Sequence, residues 1–156
     1  MGISNLSDIG DLSDKYLYTL MVRADENNLK KLILGNHRKE YYNPYWASEK
    51  SIVLTGFNFL EEFNLENCDT YTGSIDFTGA PIINKIILTG SNTSAIVLPS
   101  GGSIEELRLP STITNLNIDS HPTLNTNKFT LGYYDYDAMQ YVNDYSRLTD
   151  IFIKGC

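Results

Sequence analysis

The pattern Leu-x-x-Leu-x-Leu, with Ile, Phe or Val accepted at the apolar positions, recurs along almost the whole chain and constrains its architecture more than any other feature. One set comprises Leu60-x-x-Phe63-x-Leu65, Ile83-x-x-Ile86-x-Leu88, Ile104-x-x-Leu107-x-Leu109, Thr126-x-x-Phe129-x-Leu131 and Leu148-x-x-Ile151-x-Ile153, whose starts step by 23, 21, 22 and 22 residues. A second set lies between them: Leu29-x-x-Leu32-x-Leu34, Glu49-x-x-Ile52-x-Leu54, Thr72-x-x-Ile75-x-Phe77, Thr93-x-x-Ile96-x-Leu98 and Ile113-x-x-Leu116-x-Ile118, stepping by 20, 23, 21 and 20. Leu17-x-x-Leu20-x-Val22 fits as an earlier member of the first set. A fixed period of this size predicts a solenoid, and the half-period offset predicts two short strands per turn on opposite sides of a flattened coil.

The local chemistry agrees. In Leu-x-Leu the two apolar side chains share one face of a strand and the residue between them points away. Thr55-Gly56, Thr78-Gly79, Thr89-Gly90, Pro99-Ser100-Gly101-Gly102 and Pro110-Ser111 each follow an apolar run, where Gly and Pro end the strand and turn the chain. Helical repeats are longer, about 30 residues or more, and space their apolar positions by three and four rather than three and two. The fold class expected is therefore mainly β, a solenoid of about 22-residue turns with two parallel-strand columns.

These repeats resemble those of the irregular bacterial leucine-rich-repeat proteins, the internalin and BspA-like groups. Ile104-Glu105-Glu106-Leu107-Arg108-Leu109-Pro110-Ser111-Thr112-Ile113-Thr114-Asn115-Leu116 is the most specific stretch, and Cys68 and Cys156 stand at the family's Asn/Cys ladder position. Three phrases, Gly10–Tyr16, Leu29–Asn36 and Pro110–Leu116, are also similar to repeat segments of large virion proteins of gut bacteriophages. The resemblance implies a leucine-rich-repeat solenoid serving protein–protein interaction or assembly, with a place in a virion or tail structure; an extracellular or cell-surface adhesin is the alternative. The family's Asn ladder is absent: Phe57, Ala80, Ser91, Thr112, His121 and Tyr134 occupy its places.

Two stretches break the period. Gly35 to Ala47 stands where a first-column strand is expected near 38, and Gly132 to Arg147 where a second-column strand is expected near 137. The first holds Tyr41, Tyr42, Tyr45 and the single Trp, Trp46, beside His37, Arg38 and Lys39. Tyr, Trp and Arg anchor interfaces, and loops on a rigid scaffold commonly bind, so these aromatics either form a binding excursion or seal the core in place of a strand. In the second, Ala138, Tyr141, Val142 and Tyr145 recur at helical spacing, which predicts a short helix over 135–145 with Tyr141 and Tyr145 packed on the solenoid and Tyr133 and Tyr136 freer. Exposed Tyr beside Asp also suits a surface glycan, by ring stacking and carboxylate hydrogen bonds.

The outward positions Glu62, Lys85, Glu106, Lys128 and Asp150 alternate in sign from turn to turn, which predicts a self-paired ladder that fixes register. A net charge of −7 argues against nucleic acid and against an anionic membrane surface, and no run of about 18 apolar residues offers a membrane helix. The N-terminus has neither the basic start nor the apolar stretch of a signal peptide. No catalytic motif, metal-ligand spacing or cofactor fingerprint is legible: His37 and His121 lie on different turns, and Asp8, Asp11 and Asp14 lack the Gly and distant Glu of a calcium loop. The chain is thus expected to be non-enzymatic, without metal or cofactor.

Cys68 and Cys156, 88 residues apart, are expected four turns apart in one column, roughly 19 Å at strand spacing, so they read as structural thiols rather than a disulfide. Residues 1–16, with Leu6, Ile9 and Leu12 among Ser and Asp, read as an N-terminal cap, and 17–156 as the solenoid. The final strand, with Ile151, Phe152 and Ile153, reads as an open edge that docks on a protein partner or on the rest of a longer polypeptide.

Overall fold

The computed structural model describes residues 28–33, 51–68 and 71–154. Strands appear in chain order as β1 (Lys31–Ile33), β2 (Ser51–Val53), β3 (Glu62–Asn64), β4 (Ser74–Asp76), β5 (Lys85–Ile87), β6 (Ala95–Val97), β7 (Glu106–Pro110), β8 (Asn115–Asn117), β9 (Phe129–Asp135), β10 (Gln140–Asn143) and β11 (Asp150–Phe152). They stack in two columns. One sheet runs β1-β3-β5-β7-β9-β10, and on the other side of the coil lie β2-β4-β6 and the pair β8-β11, with β8 against β6. All pairings are parallel except β9 with β10. The chain is therefore a β-solenoid, and the register advances by 23, 21 and 22 residues from β3 to β9.

The alternation seen in the sequence sets the layers. Leu32, Phe63, Ile86 and Leu107 align in one column, Ile52 and Ile75 in the other, and each is at most 1% exposed. Burying a side chain of this kind contributes about 1.5–3 kcal/mol. The two columns meet across a single apolar layer, where the Phe63 and Phe77 rings contact edge to face at 5.2 Å. Corners close by tight turns: the Cys68 N–H donates to Leu65 O, that of Ser91 to Leu88 O and that of Ala80 to Phe77 O. Gly90 has φ +78°, and a Cβ there would lie 2.4 Å from Asn67 Oδ1, so the corner needs glycine on both counts.

Where an Asn ladder is absent, hydroxyls staple successive turns. Ser103 Oγ donates to Ile83 O at 2.7 Å, Thr123 Oγ1 to Ile104 O at 2.8 Å and Thr112 Oγ1 to Thr93 O at 2.6 Å. The outward charge ladder forms in part. Glu62 sits between Lys31 at 3.6 Å and Lys85 at 3.5 Å, while Glu106 turns to Arg108 at 3.1 Å.

Three expectations are corrected. The repeat beginning at Leu29 belongs to the first column, since β1 pairs with β3; the repeat beginning at Leu148 belongs to the second, since β11 pairs with β8. The reason is common to both: extra residues lie in the connections β1–β2 and β9–β11, so counting a constant step misplaces the terminal repeats by half a turn. For the same reason Asp150 is not part of the first-column charge row, and Cys156 follows a second-column strand whereas Cys68 follows β3.

Second, the interruption at Gly132 to Arg147 does not replace a strand but lengthens the passage from the first column to the second, while Gly35 to Ala47 lies outside the described residues. Third, the helix expected over 135–145 is a β-hairpin, β9–β10, with a turn at residues 136–139. Asp135 Oδ1 accepts from the N–H groups of Asp137 and Ala138, which favours a turn over a helical start, and Met139 takes φ +53°. A segment this short is marginal as a helix, whereas antiparallel pairing on β9 satisfies its backbone at once. The N-terminal cap, Leu17–Val22 and Cys156 lie outside the described residues.

Candidate functional site

Two surfaces at the C-terminal end of the stack carry the candidate residues: the β9–β10 hairpin and β11.

The hairpin is clasped to the outward face of the first column. Arg108, on β7, is only 9% exposed although it points away from the core. Its Nε faces Glu106 Oε1 at 3.1 Å, Nη1 donates to Thr130 Oγ1 at 2.8 Å, and Nη2 donates to Asn127 O at 3.3 Å. The Tyr141 ring from β10 lies over the guanidinium at 4.2 Å, a cation–π contact. Tyr134 meets Tyr141 and Tyr136 edge to face, both at 5.0 Å. Tyr136, at the hairpin tip, reaches back to the corner after β3, where Asn67 Nδ2 donates to its hydroxyl at 2.6 Å.

Electrostatics under the hairpin follow from this cover. Burial raises the Glu66 carboxyl above its ordinary value near 4.5, against the opposing pull of the Thr89 and Tyr141 hydroxyls and Lys85. Burial also raises the Tyr141 phenol, helped by the negative charge of Glu66 and opposed by Arg108. Thr89 is buried beside them, and its Oγ1 makes no close hydrogen bond. Arg108 is engaged on every side, so the cluster acts as a latch that holds the hairpin rather than as an open pocket.

Tyr133 lies on the other face of the hairpin, opposite Val142, and is 48% exposed; Tyr136 is 61% exposed. The structure thus separates these two candidates onto opposite faces. Tyr41, Tyr42, Tyr45 and Trp46 lie outside the described residues. The sequence reading missed Arg108, Glu66 and Asn67. One signal was available: Arg108 is the one charged residue at the central x of a first-column Leu-x-Leu.

The second surface is β11. Ile151 is in register with Leu116 and so points to the core, yet it is 43% exposed where Leu116 is fully buried. Phe152, on the outward face in register with Asn117, is 50% exposed, and Ile153 is 56% exposed. Among the described residues, β11 pairs with β8 along one edge only. Family models, curated proteins and solved structures were compared with the chain, and none matches. Function must therefore be argued from these surfaces. The outward row above Phe152 is also weakly charged: Val53, Asp76 and Val97 align, with Val53 and Val97 44% and 52% exposed. Among the described residues, no three His, Cys, Asp or Glu are grouped as metal ligands, and no helix is long and apolar enough to cross a membrane.

Proposed function

We propose that the chain is a non-catalytic protein–protein interaction or assembly module of leucine-rich-repeat type, working as a rigid stack whose last turn docks on a protein partner. The observation that carries this reading is β11, where Ile151, Phe152 and Ile153 are all 43% exposed or more beside a strand edge that no other described strand pairs with. Long or apolar strand edges are normally blunted or covered, because their free N–H and C=O groups recruit other strands. A structural place in a bacteriophage virion or tail is supported by the phrases Gly10–Tyr16, Leu29–Asn36 and Pro110–Leu116. The test is light scattering on the full chain and on a Phe152→Lys/Ile153→Lys variant. The wild type should exceed 17.6 kDa and the variant should return to it. A wild-type chain that stays monomeric at every concentration overturns the reading.

A surface-glycan reading has one observation in its favour, the exposed rings of Tyr133 and Tyr136. Against it, the Tyr136 hydroxyl is already engaged by Asn67. Glycan-array binding that disappears in Trp46→Ala and Tyr133→Ala chains with unchanged circular dichroism would move the balance to this reading.

A further inference from the structure

Resting on the assembly reading, we infer that the partner of β11 is a second copy of this chain, added antiparallel about a two-fold axis through Phe152.

Three observations lead there. β11 is open on the core side, where Ile151 is 43% and Ile153 56% exposed. A two-fold contact uses the same surface twice, so its own copy can cover this edge if the edge complements itself.

Second, the backbone of β11 fixes which groups are free. The Phe152 and Lys154 carbonyls accept from Ile118 and Ser120, and the Asp150 N–H donates to Thr114. These three residues therefore face β8. In a ladder alternate residues bond to opposite sides, so the N–H and C=O groups of Ile151 and Ile153 face the open edge.

Third, the side chains are self-complementary in one register. The segment reads Asp150-Ile151-Phe152-Ile153-Lys154. With Phe152 opposite its own copy, Ile151 faces Ile153 of the second copy as a hydrogen-bonded pair, which uses the free backbone groups. The four isoleucines then lie on the core side and cover one another. On the outward side Asp150 faces Lys154 of the second copy, twice, flanking the two phenylalanines. Opposite-charge and apolar cross-strand pairs both stabilise such a contact. Shifting the axis to Ile151 or Ile153 keeps the hydrogen bonds and loses the charge pairing. β10 pairs with Gly132–Asp135 of β9, in the other column.

The experiment is sedimentation equilibrium on the full chain with reversed charges. The wild type should have twice the 17.6 kDa chain mass. Asp150→Lys and Lys154→Asp should each weaken self-association about tenfold or more, because like charges then oppose each other at two symmetric places. The double variant Asp150→Lys/Lys154→Asp should restore the dimer, an outcome no effect on monomer folding would produce. A single thiol at the axis adds a reading of register: in a Cys156→Ser background, Phe152→Cys should crosslink to its own copy under oxidised glutathione, since facing Cα atoms at a non-hydrogen-bonded pair lie about 4.5 Å apart. A larger assembly, or a dimer indifferent to both single reversals, overturns the two-fold contact and leaves the assembly reading standing. A monomer throughout overturns both.

Discussion

The two columns finish differently at the same end of the stack. The first column finishes in β9, whose C-terminal half is paired with β10 and tied down by Arg108, Tyr141, Tyr134 and Tyr136. The last described strand of the second column is β11, which among the described residues has one neighbour, a half-exposed Phe152 and no such latch. A sheet end is thus quieted in one column by spending its residues on an antiparallel hairpin. In the other column the strand is left half-exposed, with no hairpin laid over it among the described residues.

The comparison breaks most sharply at Arg108. Arg108→Ala removes a nearly buried cation with three hydrogen-bonding partners and a ring above it, and should cost about 3 kcal/mol in urea unfolding, with Tyr141 fluorescence exposed. Phe152→Lys, on the unlatched strand, should change stability by no more than about 0.5 kcal/mol. Equal costs at the two sites would erase the distinction drawn here. Next comes Gly132→Ala: a Cβ at Gly132 would lie 1.9 Å from Val142 O, so β10 must lift from β9, at about 2 kcal/mol, seen as accelerated amide exchange confined to 129–143.

Smaller effects sharpen the picture of the latch. Tyr136→Phe deletes one hydrogen bond to Asn67 and should cost about 1 kcal/mol, with proteolysis near Met139 becoming faster while the rest of the stack keeps its protection. Glu66 gives the smallest change. Its folded pKa is raised, so its stabilising influence is complete below the ordinary value near 4.5 and is lost as pH rises through the raised folded value. Thermal stability should therefore fall over that rise in the wild type, and Glu66→Gln should flatten the fall. Because Glu66 is only partly buried, the gain at pH 7 should be a few tenths of a kcal/mol. A Glu66→Gln curve that runs parallel to the wild type over this range would contradict the desolvated carboxyl.

The repeat pattern made the mainly β solenoid and the turn size legible because each Leu-x-Leu is a strand that must bury its apolar side locally. Ile151, Phe152 and Ile153 were legible as repeat-strand residues for the same reason, and the structure sets them in and just after β11. Tyr141 was legible as a packing residue, though the wrong geometry was assigned to its segment. What the pattern could not carry was the column to which the Leu29 and Leu148 repeats belong. A period counts residues, whereas pairing depends on how far the chain travels between columns, and a lengthened connection changes one without the other.

By itself, then, the sequence determined the local rule: strand, tight corner, strand, with Leu32, Phe63, Ile86 and Leu107 turned inward and charges turned out. Only the tertiary structure decided that 135–145 pairs with β9 instead of forming a helix, because the competing hydrogen-bond partner is supplied by another part of the chain. It alone brought Arg108 beneath Tyr141 and Asn67 to Tyr136, residues 33 and 69 positions apart, since such contacts depend on the stacking of turns. And it alone set β11 against β8 with no second partner among the described residues, because an edge is a property of the sheet and not of any strand within it.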